Sequence, residues 1–361
     1  GNGPAHRPRR GRLDQRQDLP RQLGDGTARG RGNLSAAEDT GRVVVLSAAR
    51  PSNSSSDVPW RPDENCPCGS GREFQFCCEV AGRLPFVDVM KTQPVGPRTG
   101  FSHPGCYLGS TSNCSEKISK EHFISEAILK QFAGGLLVSG LPWHDQGESR
   151  KYSTNSLVSR VLCSRHNNSL APLDSAASHF FAQMRLAMQH VTKKSMLRRS
   201  AFFLASGNGL EAWGVKTLLG LFHSRIASTN GQCLADSFTL NEPLATKVLE
   251  GAQLPKPLGM FVSFHQTSRV TDAISVAPLT DPSSHKLVGL MVEMIGVMFE
   301  FLIDTQGANP KFFEELHFYR PNIIDLEGPR RTSRVFLSWP SVGESGKRVS
   351  LKITTMSSSG S

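Results

Sequence analysis

Ser119-Lys120-Glu121-His122-Phe123 and Cys163-Ser164-Arg165-His166-Asn167 are the two stretches that decide how the middle of this chain folds. The second holds a C-x-x-H pair, which suits one edge of a tetrahedral zinc site. Cys106 and Cys114 are the natural other edge. Their gap of seven residues is wider than the usual spacing of about two to four, and His103 is a substitute ligand. Zinc held this way ties the chain near residue 110 to the start of a helix near residue 166. Between the ties lies the Glu121-His122 pair. A regular strand would send these side chains to opposite faces unless the backbone bends. With the helix start close by, the Glu121 carboxylate and the Asn167 amide can share a hard cation such as Mg2+ or Mn2+. His122 can then take a proton from a metal-bound water as it attacks phosphorus.

Working outward, a second cluster precedes this one: Cys66-Pro67-Cys68-Gly69-Ser70-Gly71, closed by Cys77-Cys78. The two clusters take seven of the eight cysteines. Four thiolates around Zn2+ make a closed, structural site. A segment this short cannot build a core, so metal must supply its folding free energy. Two structural zinc ions are therefore expected. Paired cysteines with no secretory leader in view point to a reducing, cytoplasmic setting and to metal rather than disulfides. The eighth, Cys233, is expected to be a buried thiol.

The first cluster, through Arg72-Glu-Phe-Gln-Phe76 to Cys78, resembles the SEC-C motif, the zinc knuckle of the SecA translocase and of many other bacterial proteins. The resemblance implies an accessory or docking element for a protein partner. Phe74 and Phe76 stand where family members are usually rich in Lys or Arg. The second cluster is similar to the HNH nucleases of the ββα-metal, treble-clef type, over roughly residues 103–175. That resemblance implies His122 as general base, with Glu121 and Asn167 as ligands of a catalytic Mg2+ or Mn2+. It implies Cys106, Cys114, Cys163 and His166 as the structural zinc set, Gly134-Gly135 as a family glycine pair and Asn155 as the middle Asn that orients the base. The sequence departs from the family in the wide Cys106–Cys114 gap, in His166 where Cys is commoner and in Ser125 where Pro is common. The implied activity is hydrolysis of phosphodiester bonds, DNA ahead of RNA. The alternatives are a zinc-dependent nucleic-acid or protein-binding module that has lost catalysis, and a docking protein built on the SEC-C knuckle.

Bulk properties agree with a polyanionic partner. Formal net charge is +10 and the pI about 9.4, a balance that favours nucleic acid. Lys117, Lys120, Arg160 and Arg165 surround the proposed site, each also readable as a solvated charge. The apolar run from Leu287 to Ile303 is broken by Glu293, Gly296 and Glu300, which argues against a membrane span.

The expected organisation is α+β and multi-domain. Residues 1–60 read as a disordered Arg/Gly-rich tail and Ser-rich linker; within 1–33, eight Arg against three Asp leave a charge of +5. Residues 61–85 form the zinc knuckle and 101–195 the treble-clef unit. Residues 196–352 make an α+β region on an antiparallel sheet, and 353–361 a disordered tail. Asp174-Ser175 reads as the cap of a helix whose Phe180, Met184, Ala187 and Val191 face a core. A second helix is expected from Gly209 to Ser224, and strands near 259–265, 273–278, 287–295, 297–303, 315–319 and 334–339. Trp143 and Trp213 read as core, Glu126 as solvated.

Overall fold

The computed structural model describes residues 34–35, 39–48, 60–66, 72–76, 92–132, 136–139, 149–153, 157–193, 196–229, 232–264, 267–271, 274–281, 283–294, 296–306, 318–339 and 348–356. In chain order the elements are β1 (Leu34–Ser35), β2 (Asp39–Ala48), β3 (Ile118–His122), α1 (Glu126–Leu129), β4 (Leu136–Ser139), β5 (Ser149–Tyr152), β6 (Val158–Cys163), α2 (Ser164–Thr192), β7 (Arg199–Ser206) and α3 (Gly207–His223). They continue with β8 (Ser228–Thr229), β9 (Gln232–Cys233), α4 (Leu234–Ser237), α5 (Glu242–Leu249), β10 (Gly259–Phe264), β11 (Thr267–Thr271), β12 (Ile274–Asp281), β13 (Lys286–Met294) and β14 (Val297–Leu302). The last four are β15 (Phe318–Tyr319), β16 (Ile323–Glu327), β17 (Arg331–Ser338) and β18 (Arg348–Met356).

The class is α+β, with two helices packed between two sheets. An eight-stranded sheet runs β15-β10-β14-β13-β12-β1-β4-β5 and is antiparallel throughout. A six-stranded sheet runs β11-β2-β18-β16-β17-β7. This one is mixed, because β16–β18 and β17–β7 are parallel pairs. The antiparallel sheet expected of the C-terminal region is the eight-stranded one; the parallel pairs of the second sheet were not expected, and there β7 leaves the sheet through α3 and β17 returns beside it, the long crossover that a parallel neighbour needs.

The helix α3 packs against β10, β13 and β14 of the first sheet, and α2 against β7, β16 and β17 of the second; the two helices also touch each other. Every residue of α3 from Gly207 to Phe222 is buried. A helix enclosed on all sides is largely apolar all round; Leu210, Trp213, Val215, Leu218, Leu219 and Leu221 meet that need, and its two charged residues, Glu211 and Lys216, are ion-paired. One apolar core runs from Cys106 to Ile353. Residues 101–195 and the C-terminal region thus share a core, because α2 packs into both.

Several expectations shift in detail. The helix expected to start near residue 166 starts at Ser164 with Cys163 as its N-cap, so Asp174, read as a cap, lies inside it. Phe180, Met184, Ala187 and Val191 are buried as expected. Part of the segment assigned to a disordered tail is the strand β2, hydrogen-bonded between β11 and β18; Val43-Val44-Val45-Leu46 has the β-branched composition of a strand. The run at 287–303 is the β13–β14 hairpin, turning through Gly296 at φ +75°. No helix among the described residues is long and apolar enough to cross a membrane.

Of the first cysteine cluster only Cys66 lies within the described residues; Cys68, Cys77 and Cys78 fall outside them. Cys66 and Phe74 are buried with Leu204, Ile323 and Phe336, and Trp60 packs against the group. The Trp60 ring lies 5.6 Å from Phe74 and 5.4 Å from Phe336, centroid to centroid. Phe74, 2% exposed, therefore fixes this segment to the six-stranded sheet, and burying one such side chain is worth about 1.5–3 kcal/mol. Phe76 points outward, 71% exposed.

Candidate metal centre

Cys106, Cys114, Cys163 and His166 come together as the sequence predicts, all four buried, with one donor atom from each within 4.8 Å of the others. The strands β3 and β6 form an antiparallel pair in which Ile118 faces Cys163. The amide of Ser164 donates to Lys117 O at 2.8 Å. Cys163 thus ends a strand and caps a helix, and its Sγ accepts from the amides of Ser115 (3.4 Å) and His166 (3.5 Å). One turn into α2, His166 faces back over the sulfurs.

The wide Cys106–Cys114 gap closes because it is folded on itself. Gly109–Thr111 is a 3-10 turn, Gly109 N bonds Cys106 O, and Ser112 takes a left-handed conformation. Cys114 N then bonds Phe101 O at 2.8 Å. His103 is spent elsewhere: its Nδ1 accepts from the Gly105 amide at 2.9 Å.

The geometry fits a tetrahedral ion. His166 Nδ1 lies 3.5 Å from Cys106 Sγ, 3.6 Å from Cys114 Sγ and 3.3 Å from Cys163 Sγ. Bonds of about 2.3 Å to sulfur and about 2.0 Å to nitrogen, at tetrahedral angles, give S···N edges of about 3.5 Å. The ring is also set in the right tautomer. Thr111 Oγ1 donates to Leu108 O at 2.8 Å, so at 3.2 Å from His166 Nε2 it accepts that nitrogen's proton. Nδ1 is left with its lone pair toward the three sulfurs, the outer-shell arrangement that orients a ligating imidazole.

Electrostatics point the same way. Burial pushes the Cys106 thiol up to about 12 and raises Cys114 as well. Burial also raises Cys163, but the amides of His166 and Ser115 outweigh it and the net shift is downward. Burial, with Arg165 beside it, lowers His166 to about 4, so the ring is neutral. Three buried sulfurs and a neutral imidazole are a donor set for a soft dication such as zinc, which supplies the positive charge that makes the thiolates stable.

The acid and base pair sit differently from the second metal site implied by the resemblance. Glu121 is buried and its carboxylate is ion-paired to Lys216 Nζ. The same ammonium reaches Asp174 Oδ2 at 2.6 Å. Asp174 is therefore neither a helix cap nor an isolated ligand. Its other oxygen accepts from Ser125 Oγ, which in turn accepts from Trp213 Nε1 at 2.9 Å. Ser125, where the resembled nucleases commonly have Pro, links these groups. Two carboxylates share one ammonium, which is 4% exposed. Burial raises the Glu121 carboxyl, while Asp174 and Glu121 together hold Lys216 above its ordinary value against its own burial.

His122 closes β3, half-buried, opposite Val158. Asn167 is half-buried in the first turn of α2. Asn155, Gly134, Gly135 and Trp143 lie outside the described residues. Glu126 is paired with Lys130 at 2.9 Å in α1. Cys233 is half-buried rather than buried. Arg165 is a structural residue: it donates to Asn113 Oδ1 at 3.1 Å and to Pro97 O at 2.8 Å. Lys117, Lys120 and Arg160 are exposed.

Sequence reasoning missed Thr111 and Lys216. Thr111 left no signal beyond lying in an unusually long inter-cysteine gap. Lys216 did leave one, as a lysine inside the apolar run Leu210–Phe222, where only Glu211 is also charged. No family model, curated protein or solved structure matches this chain.

Proposed function

We propose that this chain binds nucleic acid through a zinc-organised ββα unit, and that the unit serves recognition rather than divalent-ion phosphodiester cleavage. The observation that carries this reading is Lys216. Its ammonium stands between Glu121 and Asp174, where a catalytic Mg2+ would draw on the same carboxylate charge. An incoming Mg2+ would have to displace a buried, doubly paired ammonium and shed part of its own tightly held water. Breaking a buried ion pair by removing one partner costs about 3–5 kcal/mol, a large handicap for a metal site. Zn2+ at Cys106, Cys114, Cys163 and His166 holds the β3–β6 pair against the start of α2. Lys117, Lys120 and Arg160 supply exposed positive charge on that pair, and a net charge of +10 favours a phosphate backbone. The proposed docking of a protein partner by the first cysteine cluster is kept, with Phe74 seated against the six-stranded sheet.

One observation favours the rival reading, an HNH-type nuclease. The order β3, β6, α2 carries Glu121-His122 and Asn167 on the elements that such enzymes use. Incubating the purified protein with supercoiled plasmid and Mg2+ or Mn2+ separates the two. The recognition reading predicts a retarded plasmid that stays supercoiled. Nicking that disappears in His122→Ala would establish the nuclease and overturn it.

A further inference from the structure

The strands β7 and β17 start side by side in parallel register, Arg199 opposite Arg331 and Ser200 opposite Thr332. Arg198 precedes one strand and Arg330 the other. The four arginines, Ser200 and Thr332 line one cavity of about 410 Å3, whose remaining wall is a glycine and a proline. It lies beside the C-terminal end of α2: Gly328 packs against Val191 O, and a ring nitrogen of His190 lies 3.5 Å from Arg331. The zinc centre is at the other end of the same helix, roughly 40 Å away at about 1.5 Å per residue.

Four guanidinium groups in one wall repel one another unless something negative is present. Nearby in the same sheet the need is met internally, for Asp325 pairs with both Arg334 and Arg348. Among the described residues, Arg198, Arg199, Arg330 and Arg331 have no carboxylate partner. Arg331 Nε is out of solvent with no hydrogen-bond partner in the described residues. The bland explanation is that these side chains complement the helix end. A helix C-terminus carries only about half a negative charge, so it offsets a small part of four. Among the described residues the wall contains no aromatic ring on which a base could stack and no carboxylate to hold a cation. It offers guanidinium forks and two hydroxyls, the groups that grip phosphate oxygens in pairs.

We infer that this cavity is a second, sequence-independent phosphate site for the backbone of a bound polynucleotide, remote from the zinc unit. The inference rests on the nucleic-acid reading above. It adds a contact that positions the ligand without reading its bases.

The test is fluorescence anisotropy with a labelled 30-base-pair duplex over a salt series. It compares wild type, Arg198→Gln/Arg199→Gln and Lys120→Gln/Arg160→Gln. Both variants change exposed side chains, and Arg330→Gln serves as a single-site repeat should the first variant lose its thermal transition. The expected result is weaker binding by the arginine variant, with a plot of log affinity against log salt shallower by about 2, close to 0.9 for each phosphate no longer neutralised. Unchanged affinity and slope in that variant, with wild type binding normally, would overturn the arginine site and leave the nucleic-acid reading standing. Absence of binding by wild type would overturn that reading as well. Should the arginine variant lose binding of inorganic pyrophosphate while keeping its duplex affinity, the cavity serves a small phosphorylated ligand and the backbone assignment is overturned.

Discussion

Thr111 accepts the Nε2 proton of His166 at 3.2 Å while donating its own to Leu108 O at 2.8 Å. That relay decides which imidazole nitrogen faces the sulfurs. Thr111→Val keeps the shape and removes the acceptor. Zinc affinity, measured by chelator competition, should fall about 10–100-fold. Thr111→Ser should restore most of it, and equal affinity in all three proteins would show that the relay is irrelevant.

Lys216 neutralises Glu121 and Asp174 in the interior. Lys216→Met leaves the buried Glu121 carboxylate facing the half-buried Asp174 with no counter-charge, and denaturant unfolding should record a loss of about 3–5 kcal/mol. Adding Glu121→Gln should recover part of it. The pH dependence follows from the sign of the shift. Lys216 is held above its ordinary 10.5, so the folded state binds its proton more tightly than the unfolded chain does. Its contribution is fully present below 10.5 and is lost as pH rises through the folded value. The deficit of Lys216→Met should therefore shrink in strong alkali, as Lys216 loses its proton, and again in acid, where Glu121, its carboxyl raised by burial, becomes neutral.

Glu211 and Arg320 form another buried pair. Arg320 donates from Nε at 2.7 Å and from a terminal nitrogen at 2.9 Å, and Met260 N adds a third bond to Glu211 at 2.7 Å. The pair fastens α3 to the start of β10. Arg320→Ala should cost about 3–5 kcal/mol. Arg320→Lys should rescue little, since an ammonium cannot make the two-pronged contact; full stability of the lysine variant would contradict that.

Gly214 lies mid-helix in α3, where Ala is intrinsically better by about 1 kcal/mol. A Cβ there would meet the Phe301 ring at 2.7 Å. Gly214→Ala should therefore destabilise the protein, by about 1–3 kcal/mol in thermal or chemical unfolding, reversing the usual sign. A stabilised variant would mean that Phe301 moves aside freely.

How much of this was legible in the sequence depended on the range of the interaction. Cys163 and His166 are one turn apart and could be paired from spacing alone. Cys106 and Cys114 had to be joined to them across a long separation, and only their residue type made that possible. Phe180, Met184, Ala187 and Val191 marked a buried helix face correctly and the C-x-x-H pair put the helix start near 166, yet Asp174 was misread as its cap, a place that Cys163 takes. Asp174, read as the cap, is occupied by a lysine 42 positions away. Such a partner leaves no local periodicity. The parallel pairings of β7 with β17 and β16 with β18 were invisible for the same reason: periodicity marks a strand but not its neighbour.

The most direct test of the central claim is a zinc count by native mass spectrometry after dialysis against a mild chelator. It compares wild type with Cys106→Ser/Cys163→Ser. The double variant should carry one zinc fewer per chain and lose the cooperative unfolding of the ββα unit. Equal zinc content in the two proteins would contradict a metal-organised centre at Cys106, Cys114, Cys163 and His166.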